Sequence, residues 1–361
     1  MARDGLIETM SWMPSAAASR SVNIPAIRSP HFGYDDSRDE NTTSPAVHRM
    51  RSGPCSVGID IGGTKVNIGI VDSRGEIVAK RRIPTGKNLD VKSCIRNISE
   101  EVNRLLGENG LALKEIGFLG AGVPGTVDTE TGHVVYCPNL SWKDVPAGSY
   151  FKEMLGCDVR MIQDCRAAAF SELLYGAGRG YSDILCVTLG TGIGGGVIIN
   201  RKIFHGSMNT AGEIGHVIIV KNGRLCSCGN HGCLERYSSG SGILEQALER
   251  FPNKLTGENR NTEHVFELAQ KGDSEARDLI RESVEYLAVG IANVVDIFSP
   301  QAVIISGGMC EHRDLIIDPL KLLVPRFGYV SWVEQNTLRI EKALLGSDAP
   351  MIGAASLHRG A

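Results

Sequence analysis

The residues suited to chemistry fall into a few short groups. Asp60-Ile61-Gly62-Gly63-Thr64-Lys65 places an acid at a strand end, then two glycines, a hydroxyl and a cation. Backbone N–H groups at such a turn cradle an anion, and the glycines let a ligand approach closely. It is not the GxxxxGK[ST] phosphate loop. Gly190 to Gly196 forms a second glycine-rich turn, with Thr191 as a side-chain donor beside Gly192. Ser306-Gly307-Gly308 follows an apolar strand, where α/β sheets line their ligand crevices. Together the three turns point to a nucleotide.

Cys226, Cys228 and Cys233 bring three thiolates within eight residues, a spacing that closes around one tetrahedral metal. His216 and His231 compete as the fourth ligand, and a closed Cys3His set is structural because no open position remains for water. Asp164 opens an Ala-rich helix after a strand, where its carboxylate serves either as a proton acceptor from a hydroxyl or as a helix cap. Glu213 and Glu235 flank the cysteine loop, and carboxylates grip vicinal hydroxyls. The Pro138-Asn139-Leu140 turn with Trp142 is a candidate sugar-pocket lining.

The elements that must hold these residues alternate strands with helices. SVGID, VNIGIVD and EIVAKRRI read as three strands, and residues 90–106 carry apolar side chains at helical spacing. Further strands are expected at 116–122 and 158–162. ILCVTL and VIIN then bracket the second glycine turn and repeat the plan of the first. A long helix is expected over 274–297 and a short one in the C-terminal MIGAASLHRGA. This predicts an α/β class in two similar halves.

Composition narrows the function. The chain has 361 residues, 42% hydrophobic and 22% charged, with a formal net charge of -3. A basic excess for non-specific nucleic-acid binding is missing. Ten cysteines without a secretory segment in the first 30 residues predict reduced thiols and a cytoplasmic location, and no stretch reads as a membrane span. Residues 1–53 hold six acids and six bases with no sustained apolar period, and predict a disordered extension. Pro14, Pro25, Pro30 and Pro45 interrupt every candidate DNA-reading helix there.

In this order, GIDIGGTKVNIGIVD, GAGVPGTVD, PNLSW, the Asp164 segment, LGTGIGGG, AGEIGH, CSCGNHGCLE and IISGGM resemble the ROK family of sugar kinases and repressors, over about residues 56–358. The glucokinase branch looks most similar. The resemblance implies an actin-like (hexokinase/ribonuclease-H-like) ATPase fold with a nucleotide and sugar cleft between two lobes. It places residues 54–163 in a small lobe, with the helix at 348–358 packing back on it, and 164–347 in a large lobe carrying the zinc loop. It implies ATP and Mg²⁺, with Asp60, Gly62, Gly63, Thr64 and Lys65 around the β- and γ-phosphates and the magnesium water shell. Thr191 and Gly192 would bind the triphosphate's other side, and Gly307 and Gly308 would face the adenosine. Asp164 would be the general base. Asn139, Glu213, His216 and Glu235 would bind the sugar, and His216, Cys226, Cys228 and Cys233 a structural Zn²⁺. A homodimer or homotetramer is implied.

One segment departs from the family. Where such kinases usually read Asn-Asp-Ala-Asn, this chain reads Gln163-Asp164-Cys165-Arg166. The base is kept. Gln163, at a sugar-binding position, is one methylene longer than Asn, and Arg replaces the second Asn. A pocket matched to one hydroxyl pattern discriminates sharply when a partner changes. The expected activity is phosphorylation of a primary hydroxyl on a glucose-type hexose. A C7-cyclitol acceptor of the valienone type is the alternative, followed by a sugar-sensing repressor. Polyphosphate competes with ATP as donor.

Overall fold

The structure, a computed structural model, describes residues 53–86 and 90–360. The extension expected at 1–53 lies, but for Gly53, outside the described residues.

Two five-stranded sheets share one topology. The first runs in the order β3-β2-β1-β4-β8, built from β1 (Ser56–Ile61), β2 (Lys65–Val71), β3 (Ile77–Pro84), β4 (Phe118–Val123) and β8 (Arg160–Gln163). The second runs β11-β10-β9-β12-β13, from β9 (Ile184–Leu189), β10 (Ile193–Ile199), β11 (Lys202–Ile203), β12 (Ala302–Ser306) and β13 (Arg339–Lys342). In each, two antiparallel hairpin pairings precede two parallel ones. The pattern-level repeat between the two glycine hairpins is therefore a repeat of sheet topology. A three-stranded sheet of β5 (Thr126–Asp128), β6 (His133–Cys137) and β7 (Trp142–Val145) is inserted between β4 and β8.

The helices are α1 (Val91–Glu108), α2 (Ala147–Leu155), α3 (Asp164–Tyr175), α4 (Glu235–Ser238), α5 (Gly240–Arg250), α6 (Thr262–Gln270), α7 (Ser274–Phe298), α8 (Ile317–Phe327), α9 (Val330–Gln335) and α10 (Ala349–Ala355). The apolar period over 90–106 becomes α1, which buries Ile95, Ile98, Val102, Leu105 and Leu106. Asp90 caps it by accepting the Ser93 N–H at 3.0 Å.

Strand β9 shows why its sequence is apolar throughout. Leu185, Val187 and Leu189 face the core under α7, while Ile184 and Cys186 face a second core beneath α3. A strand covered on both faces reads as a continuous apolar run. Helix α3 packs between the two sheets. Its run of alanines permits this: a Cβ on Gly353 of α10 would lie 1.8 Å from the Ala167 carbonyl, and one on Gly196 of β10 would lie 2.5 Å from the Ala169 methyl. Phe170 and Leu173 anchor the helix, each about 1% exposed. A buried side chain of this size contributes about 1.5–3 kcal/mol. Helix α3 can therefore carry a desolvated carboxylate in its first turn.

No helix among the described residues is long and apolar enough to cross a membrane. All ten cysteines are free thiols.

Candidate active site and metal centre

The C-terminal ends of parallel strands deliver the site. Asp60 is the last residue but one of β1 and pairs in register with Gly122 of β4, whose neighbour Val123 pairs with Gln163 at the end of β8. Asp164 follows as the first residue of α3. The capping position belongs to Gln163, whose side chain makes no cap bond. Asp164 Oδ1 accepts its neighbour's N–H, from Cys165, at 2.7 Å. Burial raises the Asp164 carboxyl above the ordinary carboxylate range, and the Cys165 N–H opposes that rise. Burial also pushes Asp60 up to about 6. The Asn67 amide opposes this, and the nearby Asp164 carboxylate adds to it. Two carboxylates thus share one desolvated corner.

The first glycine turn closes by Gly62 N–H donating to the Lys65 carbonyl at 2.9 Å. The Thr85 hydroxyl donates to the Gly62 carbonyl at 2.6 Å. Thr64 and Lys65 project into solvent. A Cβ on Gly63 would come 3.1 Å from the Asn139 carbonyl, so the turn carrying exposed Asn139 abuts the phosphate-type turn. Trp142 does not line a pocket. It is 5% exposed and packs in the core of the first sheet, because β7 turns it inward opposite Cys137.

In the second sheet, Gly190 N–H donates to the Gly192 carbonyl at 3.0 Å and leaves Thr191 exposed at the tip. Gly307 has φ +95°, a left-handed backbone that favours glycine, and a Cβ there would lie 2.1 Å from the Leu189 carbonyl. Gly308 faces open space. A cleft of about 420 Å³ brings Asp164 and Cys165 together with Thr188, Gly307, Gly308 and Lys342. The expected base and the expected adenosine-side glycines therefore share one cavity.

The cysteine loop brings four candidate ligands together. The ligand atoms of His216, Cys226, Cys228 and Cys233 all lie within 4.8 Å of one another. Cys228 Sγ is 3.7 Å from Cys233 Sγ, and Cys226 Sγ is 3.7 Å from His216 Nδ1. A tetrahedron with Zn–S of about 2.3 Å has edges of roughly 3.8 Å. The donor set and its spacing fit zinc. His231 is excluded from the set: its Nδ1 lies 3.0 Å from the Gly223 carbonyl. With Nδ1 turned to the thiolates, His216 keeps Nε2 for another partner.

Glu213 and Glu235 are both tied down. Gln163 Nε2 donates to Glu213 Oε1 at 2.8 Å, and Ile193 N–H donates to Glu235 Oε2 at 2.9 Å. Gln163 is 6% exposed, and its Oε1 is buried without a hydrogen-bond partner.

Sequence reasoning missed two residues. Asn67 donates from Nδ2 to Asp60 Oδ2 at 2.9 Å. A polar residue inside the apolar strand KVNIGIV, directly opposite Asp60 in the hairpin register, was the available signal. Glu172, fully buried in α3, accepts the N–H groups of Ala177, Leu344 and Leu345. Two of those partners lie far along the chain, and no local pattern marks them.

The sequence pattern of the ROK family matches residues 56–361. The chain belongs to the ROK family. It is 32% identical over 320 residues to a glucokinase of Streptomyces coelicolor, covering 84% of this chain and 97% of that one. It is 28% identical over 309 residues to a xylose repressor of Caldicellulosiruptor bescii, covering 83% of this chain and 77% of the repressor. Among solved structures, a ROK family glucokinase from Streptomyces griseus in complex with glucose and AMPPNP superposes with a TM-score of 0.71 at 31% identity, covering 85% of this chain and all of that one. This ROK protein has the two-lobed, actin-like ATPase fold of that family.

Proposed function

We propose that this ROK protein is an ATP-dependent sugar kinase, and that it transfers the γ-phosphate to the primary hydroxyl of a glucose-type hexose. The observation that carries this reading is the position of Asp164. It stands at the end of β8, near Asp60, and opens into the cleft that holds Gly307 and Gly308.

Asp164 holds Oδ1 on the Cys165 N–H and also meets the Cys165 thiol, and its carboxylate would accept the hydroxyl proton as the oxygen attacks. Its raised proton affinity suits that task. Phosphoryl transfer depends mainly on positioning and charge neutralisation. Gly62, Gly63, Thr64 and Lys65 on one side, with Thr191 and Gly192 on the other, would hold the triphosphate between the two sheets. Asp60, steadied by Asn67, would order the water shell of Mg²⁺, which supplies the neutralising charge when bound. Asn139, Gln163, Glu213, His216 and Glu235 would bind the acceptor's hydroxyls.

Zinc on His216, Cys226, Cys228 and Cys233 would cross-link the loop and fix the His216 tautomer, so that Nε2 faces the acceptor. The lobe boundary would fall between Gln163 and Asp164. Helix α10 would belong with the first lobe, since it packs on β1, β2 and β4.

ADP release with Mg-ATP across glucose, mannose, fructose, the N-acetyl hexosamines and keto-cyclitols tests the reading. Turnover on a glucose-type hexose is expected. Turnover confined to a cyclitol would replace the acceptor and keep the kinase. A silent panel from folded protein would discard the kinase.

A further inference from the structure

Arg166 heads the largest side chains that are fully buried, at 1% exposure. A buried cation is costly without compensation, and no carboxylate lies within ion-pair distance of Arg166 among the described residues. Its compensation is two backbone carbonyls in hydrogen-bond contact and, at longer range, the Glu213 carboxylate. Nε donates to the Ala211 carbonyl at 3.1 Å and Nη2 to the Asn209 carbonyl at 2.9 Å. Nη1 is buried without a partner. The fork therefore spans the segment that runs straight into Glu213. Asn209 has φ +53° and Gly212 φ +88°, so this segment holds a backbone that few residue types adopt without cost.

Glu213 in turn determines how Gln163 is oriented. An ionised carboxylate only accepts hydrogen bonds, so Gln163 must present its NH2 to Glu213 Oε1. Its carbonyl then points the other way, buried and unpartnered. A buried acceptor without a donor costs about 1–3 kcal/mol, which a ligand hydroxyl would relieve. A keto oxygen or a bare CH2 would not.

We propose that Arg166 is a positioning residue for the phosphoryl acceptor. By forking across Asn209 and Ala211 it holds Glu213 against Gln163. The pair then leaves two acceptor atoms, Gln163 Oε1 and Glu213 Oε2, to be met by donors, and selects a polyol with hydroxyls on adjacent carbons over its ketone or deoxy analogues. The inference rests on reading Gln163 and Glu213 as acceptor-binding residues. It favours a hexose over a keto-cyclitol through the polarity of one amide.

The test compares wild type, Arg166→Lys and Gln163→Leu. Glucose and its 2-, 3- and 4-deoxy analogues are measured by calorimetry without nucleotide and by steady-state turnover. Wild type should reject at least one deoxy analogue by on the order of 100-fold or more. Arg166→Lys keeps the charge and loses the fork. It should raise the KM for glucose about tenfold, leave the KM for Mg-ATP unchanged, and shrink the deoxy discrimination to within about tenfold. Gln163→Leu leaves the fork intact and should abolish the same discrimination; if Arg166→Lys fails to fold, Arg166→Gln, which drops the buried charge and the fork but keeps an amide donor, is measured in its place and should shrink the discrimination likewise.

Wild-type discrimination in Arg166→Lys would overturn the positioning role. Unchanged discrimination in Gln163→Leu would overturn the role of the unpartnered Gln163 carbonyl. Wild type that binds neither glucose nor its analogues would overturn the reading of the pocket itself. That result is distinct from wild type binding glucose while both variants match it, which would overturn the inference alone.

Discussion

Glu235 Oε2 accepts the Ile193 N–H at 2.9 Å, so the end of the cysteine loop is bonded directly to the second glycine turn. The approach leaves no room for a side chain at Gly192, where a Cβ would fall 2.4 Å from that oxygen. Loosening the loop should therefore be felt on both sides of the reaction. Metal analysis is expected to find about one zinc per chain. Cys228→Ser removes the exposed member of the set and spares the buried Cys226 and Cys233. It should release the metal and raise the KM for both acceptor and Mg-ATP several-fold. A zinc-free preparation with wild-type kinetics would dismiss the metal centre.

Asp164→Asn keeps shape and removes the proton acceptor. Turnover should fall by about 10²- to 10⁴-fold, equivalent to roughly 3–5 kcal/mol of barrier. Acceptor binding, read by calorimetry without nucleotide, should stay within a few-fold of wild type. Turnover within tenfold of wild type would place the base elsewhere.

Much of this architecture was legible because it is local. Strand, glycine turn and strand recur within sixteen residues around Gly62 and again around Gly192, and the thiolates of Cys226, Cys228 and Cys233 needed only their spacing. Contacts across the chain were not legible. Gln163 and Arg166 were visible as departures from the family pattern, but their partners Glu213, Asn209 and Ala211 sit more than 40 residues away. Trp142 misled because an aromatic near Asn139 suits a sugar pocket, yet strand alternation turned it into the core. His216 and His231 could be separated only by which ring the fold sets against the sulfurs.

The glycines after β12 make a matched pair. Gly307→Ala combines a left-handed backbone with a Cβ 2.1 Å from the Leu189 carbonyl, and should destabilise the protein by about 2–4 kcal/mol in urea unfolding. Gly308→Ala meets open space and should change stability by less than about 1 kcal/mol. If Gly308 faces the adenosine, Gly308→Ala should still raise the KM for Mg-ATP. Equal stability of the two variants would contradict the backbone described for Gly307.

Asp60 couples the site to stability. Its carboxyl is pushed up to about 6 in the fold, chiefly by burial, from an unfolded value near 3.8. The folded chain thus holds this proton more tightly than the unfolded chain. The stabilisation is fully present below about pH 3.8 and is lost as pH rises through about 6. At neutral pH the ligand-free protein carries a buried, ionised Asp60 at a cost on the order of 2–3 kcal/mol. Asp60→Asn removes that charge and can keep the Asn67 bond by offering its amide oxygen. The variant should unfold at a higher urea concentration than wild type at pH 8, and the two curves should converge towards pH 4. Mg-ATP should stabilise wild type and do little for the variant, because the charge that destabilises the empty site is the one that would order the magnesium water shell. A variant less stable than wild type at pH 8 would show that Asp60 holds the fold together instead of straining it.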